Sequence, residues 1–141
     1  MLTPFSLLAK SSYDLSWHIR SLWPKTRIVF GGVHPTLAPR EVLLESAADY
    51  VIRGEGERSM VRLVAGAGLA DIKGLAVLEN GKYLENAQLD EIEDLDSLPL
   101  PGYHLLPMHR YHPPMGGALR EPSMSIFSTR GCPGRCTYCY S

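Results

Sequence analysis

The chain has 141 residues, 45% of them hydrophobic and 21% charged, a balance that suits a soluble globular domain and argues against disorder or a coiled coil. Its 14 Lys and Arg against 15 Asp and Glu leave a formal charge of −1, so no broad electrostatic footprint invites nucleic acid or an anionic membrane. Its 3 cysteines all fall among the last ten residues and cannot staple a secreted fold together; no apolar run approaches the roughly 18 residues a membrane span requires.

From Leu7 to Trp23 the apolar positions Leu7, Leu8, Tyr13, Leu15, Trp17, Ile19 and Leu22 follow a helical spacing, which Trp23-Pro24 brings to a stop. No basic region precedes the apolar run from Leu2 to Ala9 and no small-residue cleavage site follows it, so a cytoplasmic setting is expected. Arg27 to Phe30 is short, β-branched and aromatic, and predicts a strand that runs into Gly31-Gly32. After the loop to Thr36, Pro39 suits the first position of a helix reaching about Ala48, with Glu41 in its favoured first turn. A second strand, Asp49 to Arg53, ends on another glycine loop, Gly54-Glu55-Gly56-Glu57, and a helix from Glu57 to Ala65 closes at Gly66.

This alternation of helix and strand predicts an α/β fold with parallel strands, right-handed crossovers and ligands at the carboxyl ends of the strands. Two strands are too few for a self-sufficient doubly wound sheet, so further strands are expected ahead of them. Leu75 to Leu84 reads as a hairpin about Asn80-Gly81, a strong two-residue turn signal. Leu89 to Pro122 then carries Asp90, Glu91, Glu93, Asp94 and Asp96 followed by six prolines, and reads as a solvated linker rather than a metal site. Ser123 to Thr129 is expected to be a new strand that delivers the cysteines at its carboxyl end. The expected division is therefore 1–70, 71–122 and 123–141.

Cys132-x-x-x-Cys136-x-x-Cys139 places three thiols on one short loop, and Gly131, Pro133 and Gly134 let the backbone wrap a compact object. A four-iron cluster held by three thiolates keeps one iron open, and an open position is what lets a metal centre bind a substrate. A structural zinc needs four ligands; His104, His109 or His112 could complete a set, and three unliganded thiols are the remaining alternative. On these readings the protein is an iron–sulfur enzyme, a non-catalytic binding module with a structural zinc, or a small electron-transfer protein.

The cysteine spacing, with Tyr138 immediately before the last cysteine and Ser128-Thr129-Arg130-Gly131 before the first, resembles the signature of the radical S-adenosylmethionine superfamily. The upstream half resembles the cobalamin-binding domain that precedes the radical domain in one branch of that superfamily. The matching stretches are Phe30-Gly31-Gly32-Val33-His34-Pro35-Thr36, Asp49-Tyr50-Val51-Ile52-Arg53-Gly54-Glu55-Gly56-Glu57 and Leu95-Asp96-Ser97-Leu98-Pro99-Leu100-Pro101. The resemblance implies a partial Rossmann-like, flavodoxin-like parallel sheet, then a linker, then the first strand and cluster loop of a partial TIM barrel, in a chain truncated at both ends. It implies that Cys132, Cys136 and Cys139 hold a 4Fe-4S cluster and that Tyr138 packs near S-adenosylmethionine. It further implies that Thr3, Gly31, Gly32, Gly54 and Gly56 face cobalamin.

In such a family the cluster's electron cleaves S-adenosylmethionine to a 5′-deoxyadenosyl radical, and the expected reactions are methyl transfer, rearrangement or cyclisation of a small-molecule or peptide substrate. A reductant such as flavodoxin or ferredoxin is the expected partner. His34, in a loop before proline, reads as structural rather than as a cobalt ligand, and Glu55 and Glu57 as backbone-positioning or solvent-facing rather than catalytic.

Overall fold

The computed structural model describes residues 1–112, 123, 124, 126–134, 136, 137 and 139. The chain divides into two compact units, Met1–Ile92 and Glu93–Ser141. In the first, a short 3-10 turn, Ser6–Leu8, leads into α1 (Ala9–Leu22), followed by β1 (Val29–Phe30), α2 (Val33–Leu37), α3 (Pro39–Glu45), β2 (Tyr50–Ile52) and α4 (Glu57–Val64). A hairpin of β3 (Leu75–Glu79) and β4 (Lys82–Glu85) completes it.

Alternate residues of the strands feed two cores. Ile28, Phe30, Val51 and Ala76 meet Ala9 and Tyr13 of α1 and Val42 and Leu43 of α3 on one face. Val29, Ile52 and Leu75 meet Ile72, with Met60 and Leu63 of α4 packed against them, on the other. Helices thus cover both faces of the sheet, as the period-2 alternation of β1 and β2 requires.

The predicted helix α1 forms, and of the apolar positions read from sequence Tyr13 is buried and Ile19 packs against the core. Ala9, Tyr13 and Ser16 are its buried residues, whereas Leu7, Leu8, Leu15, Trp17 and Leu22 are exposed. The reason is close approach. Ser16, fully buried, donates to the Tyr13 carbonyl (2.6 Å) and accepts from the Ala47 amide (3.0 Å), so a small hydroxyl ties the helix to the end of the α3 loop where a leucine would not fit. Tyr13 fills the remaining space edge-on against Phe30, with ring centroids 6.0 Å apart.

β1 and β2 are parallel, in register Val29 with Tyr50 and Phe30 with Val51. Two features of the sheet were not read from the sequence. The first residues run alongside β1: Leu2 bridges Phe30 in parallel, its amide donating to the Val29 carbonyl (2.8 Å) and its carbonyl accepting from Gly31 (2.9 Å). The hairpin, grouped with the linker from sequence, instead belongs to the sheet, with β3 antiparallel to β2 and the order β1-β2-β3-β4. The sheet is therefore mixed, its parallel part ending at β2, because the far edge of β2 would otherwise expose unpaired amides and carbonyls. Asn80 and Gly81 both take positive φ, 50° and 77°, the backbone that the tight hairpin turn demands.

Asp49, just before β2, anchors the opposite end of that strand. Its carboxylate accepts from the Ile28 amide (2.7 Å), Arg20 Nη2 (2.6 Å) and Arg27 Nη1 (3.1 Å), and Arg20 also donates to the carbonyls of Pro24, Thr26 and Ala47. Burial on its own would raise the pKa of the Asp49 carboxyl, but the Ile28 amide and the two guanidinium groups together outweigh it and hold the group below the usual carboxylate range. A depressed native pKa stabilises the fold fully above the unfolded value of about 4 and loses that stabilisation as acid carries the pH down through the native value. Asp49→Asn is expected to cost about 2–3 kcal/mol at neutral pH and to flatten the loss of stability below about pH 4. Urea midpoints across pH check this, and parallel pH profiles for the two proteins would refute it.

In the second unit the described elements are three 3-10 turns, Leu95–Ser97, Tyr103–Leu105 and Met108–Arg110, the first capped by Asp94 accepting from the Asp96 amide. The strand expected over 123–129 does not form among the described residues there.

Candidate functional site

Three chain segments, Leu2-Thr3, β1 and β2, run in parallel and end at one edge of the sheet, the carboxyl edge at which open α/β sheets bind ligands. Their continuations are Thr3, Gly31-Gly32 and Arg53-Gly54. Gly32 and Gly54 take φ of +87° and +70°, which only glycine adopts without strain, so each loop turns sharply away from its strand. A Cβ on Gly32 would lie 3.4 Å from Thr3 Cβ, so the exposed Thr3 flanks this glycine. A Cβ on Gly31 would fall 2.0 Å from Met1 Cε and 3.3 Å from the Ile52 carbonyl. Gly56, with φ of −101° as the N-cap of α4, has ordinary room around it and no conformational need to be glycine.

The sequence reading missed Thr36. Its hydroxyl donates to the Gly32 carbonyl (2.7 Å) and accepts from the Gly54 amide (3.0 Å), joining the two glycine loops through one oxygen. It also missed the segment after β4, which straps the second loop in place. The Gly74 amide donates to the Gln88 carbonyl, Leu89 packs beside Gly54, and Glu55 Oε2 accepts from the Ile92 amide at 2.7 Å. Glu55 is thus a backbone-holding carboxylate, and Asp90, buried, faces Arg58 at 4.0 Å. Arg53 Nη1 lies 3.4 Å from Glu85 Oε2, and its buried Nε has no hydrogen-bond partner among the described residues.

His34 is committed within the protein. Its Nε2 lies 2.7 Å from the Tyr13 hydroxyl and its Nδ1 3.2 Å from Ser6 Oγ, so neither ring nitrogen is offered to a ligand. Burial, with Glu41 beside it, pushes the Tyr13 phenol up to about 12, so it stays protonated and donates toward Glu41 Oε1 at 3.4 Å. Ser6, His34, Tyr13 and Glu41 form a chain that fixes α2, and with it Thr36, against α1.

In the second unit Cys132, Cys136 and Cys139 are all exposed. The Cys132 and Cys136 sulfurs turn toward the same glycine, lying 3.3 and 3.8 Å from where a Gly134 Cβ would stand, and the Gly134 amide donates to Cys132 Sγ (3.4 Å). Cys139 follows in a turn closed by its amide on the Cys136 carbonyl (3.1 Å). Among the described residues no three His, Cys, Asp or Glu side chains converge on one metal position. Tyr138 lies outside the described residues. Among the described residues no helix is long and apolar enough to cross a membrane.

Residues 8–64, which hold both glycine loops, match the B12 binding domain family. That stretch is similar to a B12-binding domain. The match ends within α4, so the hairpin and the strap lie beyond the B12-binding stretch although they belong to the same compact unit. An uncharacterized methyltransferase of Pyrococcus horikoshii is 37% identical over 119 residues, covering 81% of this chain and 25% of the relative. An anaerobic magnesium-protoporphyrin IX monomethyl ester cyclase of Cereibacter sphaeroides is 32% identical over 148 residues, 98% of this chain and 23% of the relative. An uncharacterized methyltransferase of Synechocystis is 30% identical over 112 residues, 79% of this chain and 17% of the relative. The chain spans about a quarter or less of these curated relatives, whose alignments run past the B12-binding domain on this side.

The residues present fit both groups. At the parallel sheet edge the part-buried Gly32 beside the exposed Thr3 puts no side chain of its own in the way of a large ligand, and three exposed thiols within eight residues supply soft donors suited to iron and sulfide.

Proposed function

We propose that this chain is part of a radical S-adenosylmethionine enzyme of the B12-binding kind, acting in methyl transfer or in a radical rearrangement or cyclisation. The observation that carries the proposal is the presence, in one chain, of a stretch similar to a B12-binding domain and a Cys-x-x-x-Cys-x-x-Cys loop. The similarity to two methyltransferases and a cyclase supports the same choice of reactions. Cys132, Cys136 and Cys139 are the cluster ligands, Tyr138 packs near S-adenosylmethionine, and Thr3, Gly31, Gly32 and Gly54 face cobalamin.

When bound, the cluster supplies an electron for cleavage of S-adenosylmethionine and cobalamin supplies a carrier for a methyl group. The chain's own residues bind and orient. The positive-φ glycines bring no side chain of their own to the ligand face, Thr36 and Glu55 hold the two loops, and the Gly134 amide, donating to Cys132 Sγ, orients that sulfur. A small reductant of the flavodoxin or ferredoxin type is the proposed electron donor, and the cytoplasm is the proposed setting.

Anaerobic reconstitution with iron and sulfide is expected to give about four irons per chain with a broad visible band, and the paramagnetic signal of the reduced cluster is expected to shift on addition of S-adenosylmethionine. A colourless protein with stoichiometric zinc would sink the proposal. Full occupancy by iron with no response to S-adenosylmethionine would point instead to electron transfer.

A further inference from the structure

We propose that Thr36 is the positioning residue of the cobalamin site, setting the separation of its two glycine loops through a single hydroxyl. The proposal rests on the cobalamin reading above and goes beyond it, because Thr36 is assigned no contact with the ligand.

A threonine in a helix commonly returns its hydroxyl proton to the carbonyl four residues back, and Thr36 does this to Gly32 at 2.7 Å. That bond alone would be local and would matter little. What is not local is the second bond, in which the same oxygen accepts the Gly54 amide at 3.0 Å across a sequence gap of 18 residues. Gly32 and Gly54 are the two turning points of the site, both at positive φ, and each follows a different parallel strand. The Gly32 carbonyl also accepts the Thr36 amide (3.1 Å), so the turn after β1 is pinned twice by one residue.

The hydroxyl therefore acts as a spacer of fixed length. Its donor bond fixes the loop after β1, and its acceptor bond fixes the loop after β2. Around it, Pro35 is fully buried and His34 is locked to Tyr13 and Ser6, so α2 cannot slide to compensate for a lost bond. Valine has the same shape but neither bond, and would leave the part-buried Gly54 amide unsatisfied; serine keeps both bonds.

The test compares wild type, Thr36→Val and Thr36→Ser in the full-length protein, with Asp49→Asn as a control that lowers stability from the opposite end of β2. Two quantities are read: hydrogen exchange at the Gly54 amide, and the dissociation constant for cobalamin from its visible spectrum, well below the unfolding temperature. Thr36→Val is expected to speed exchange at Gly54 and to weaken cobalamin binding about tenfold or more. Thr36→Ser is expected to restore both, and Asp49→Asn to leave both near wild type. Thr36→Val that binds cobalamin within twofold of a normally binding wild type overturns the role of Thr36 and leaves the cobalamin reading standing. An equal loss of binding in Asp49→Asn makes the effect one of stability and overturns it as well. A wild type that does not bind cobalamin overturns the cobalamin reading, and this proposal with it.

Discussion

Replacing any one of Cys132, Cys136 and Cys139 with serine is expected to reduce iron incorporation from about four atoms per chain to near zero and to abolish the visible band. Three thiolates are the minimum for a cluster that keeps one iron open, and a hydroxyl oxygen is a hard, weakly acidic donor that does not replace a thiolate on iron. The three positions are not equivalent in the structure. Cys132 and Cys136 are already turned toward Gly134, whereas Cys139 is carried by the following turn. Loss of Cys139 is expected to keep the Cys132 and Cys136 sulfurs about Gly134 and with them some weak metal binding, while loss of Cys132 or Cys136 breaks that pair. Metal analysis and visible spectra on the three variants check this order, and full iron content in any of them would refute the ligand set. Cobalamin affinity is expected to stay unchanged in all three, since the glycine loops belong to the other compact unit.

The second large effect is one of stability, at a residue with no chemistry. Gly74→Ala is expected to destabilise the first unit by about 3 kcal/mol or more, enough to unfold a marginal domain. Gly74 sits at φ of +66°, costing an L-residue roughly 1–2 kcal/mol, and an added Cβ would lie 2.6 Å from the Arg53 backbone carbonyl, which cannot swing aside as a side chain would. Its two backbone bonds, to Arg53 and to Gln88, join β2 to the strap and hold the second glycine loop between them. Gly66→Ala is the contrasting substitution. Its φ is also positive, +77°, but nothing lies within 4 Å of an added Cβ, so it is expected to cost only the backbone strain, about 1–2 kcal/mol. Chemical denaturation of both variants tests the comparison, and equal losses would refute the clash.

The elements that local chemistry governs were legible in the sequence. Trp23-Pro24 ended α1, Pro39 opened α3, Asn80-Gly81 made the hairpin turn, and the glycines after each strand marked the sheet edge at which Gly32 and Gly54 now stand at positive φ. What failed depended on tertiary partners. The interior face of α1 was legible only in part: Tyr13 stood among its apolar positions, but Ser16 takes the interior because its hydroxyl finds a partner after α3, and no periodicity encodes a partner's position. The hairpin was set apart from the sheet because a two-residue turn reveals that two strands pair with each other and says nothing of which third strand they join. Thr36 escaped notice for a related cause: it works by an acceptor bond to an amide 18 residues along the chain, of which one threonine gives no local sign, whereas Glu55 was read as backbone-positioning and does so on the Ile92 amide, 37 residues away. Gly74 had a sign, a glycine just ahead of an apolar run, but its significance came only with the carbonyl it approaches.

The antiparallel pairing of β3 on β2 bears on how the molecule is made. As the chain leaves the ribosome, the helices and strands up to Val64 emerge first, yet β2 then has a partner on one side only. Its second partner, β3, is synthesised some 20 residues later, and the strap that seats the loop after β2 later still. Until β3 has been made, a nascent chain therefore presents an open strand edge, and until Ile92 an unseated glycine loop beside it, the kind of surface that recruits chaperones or pairs with another nascent chain. Boundaries drawn at the end of the B12-binding match would stop translation products, and engineered fragments, at that exposed stage.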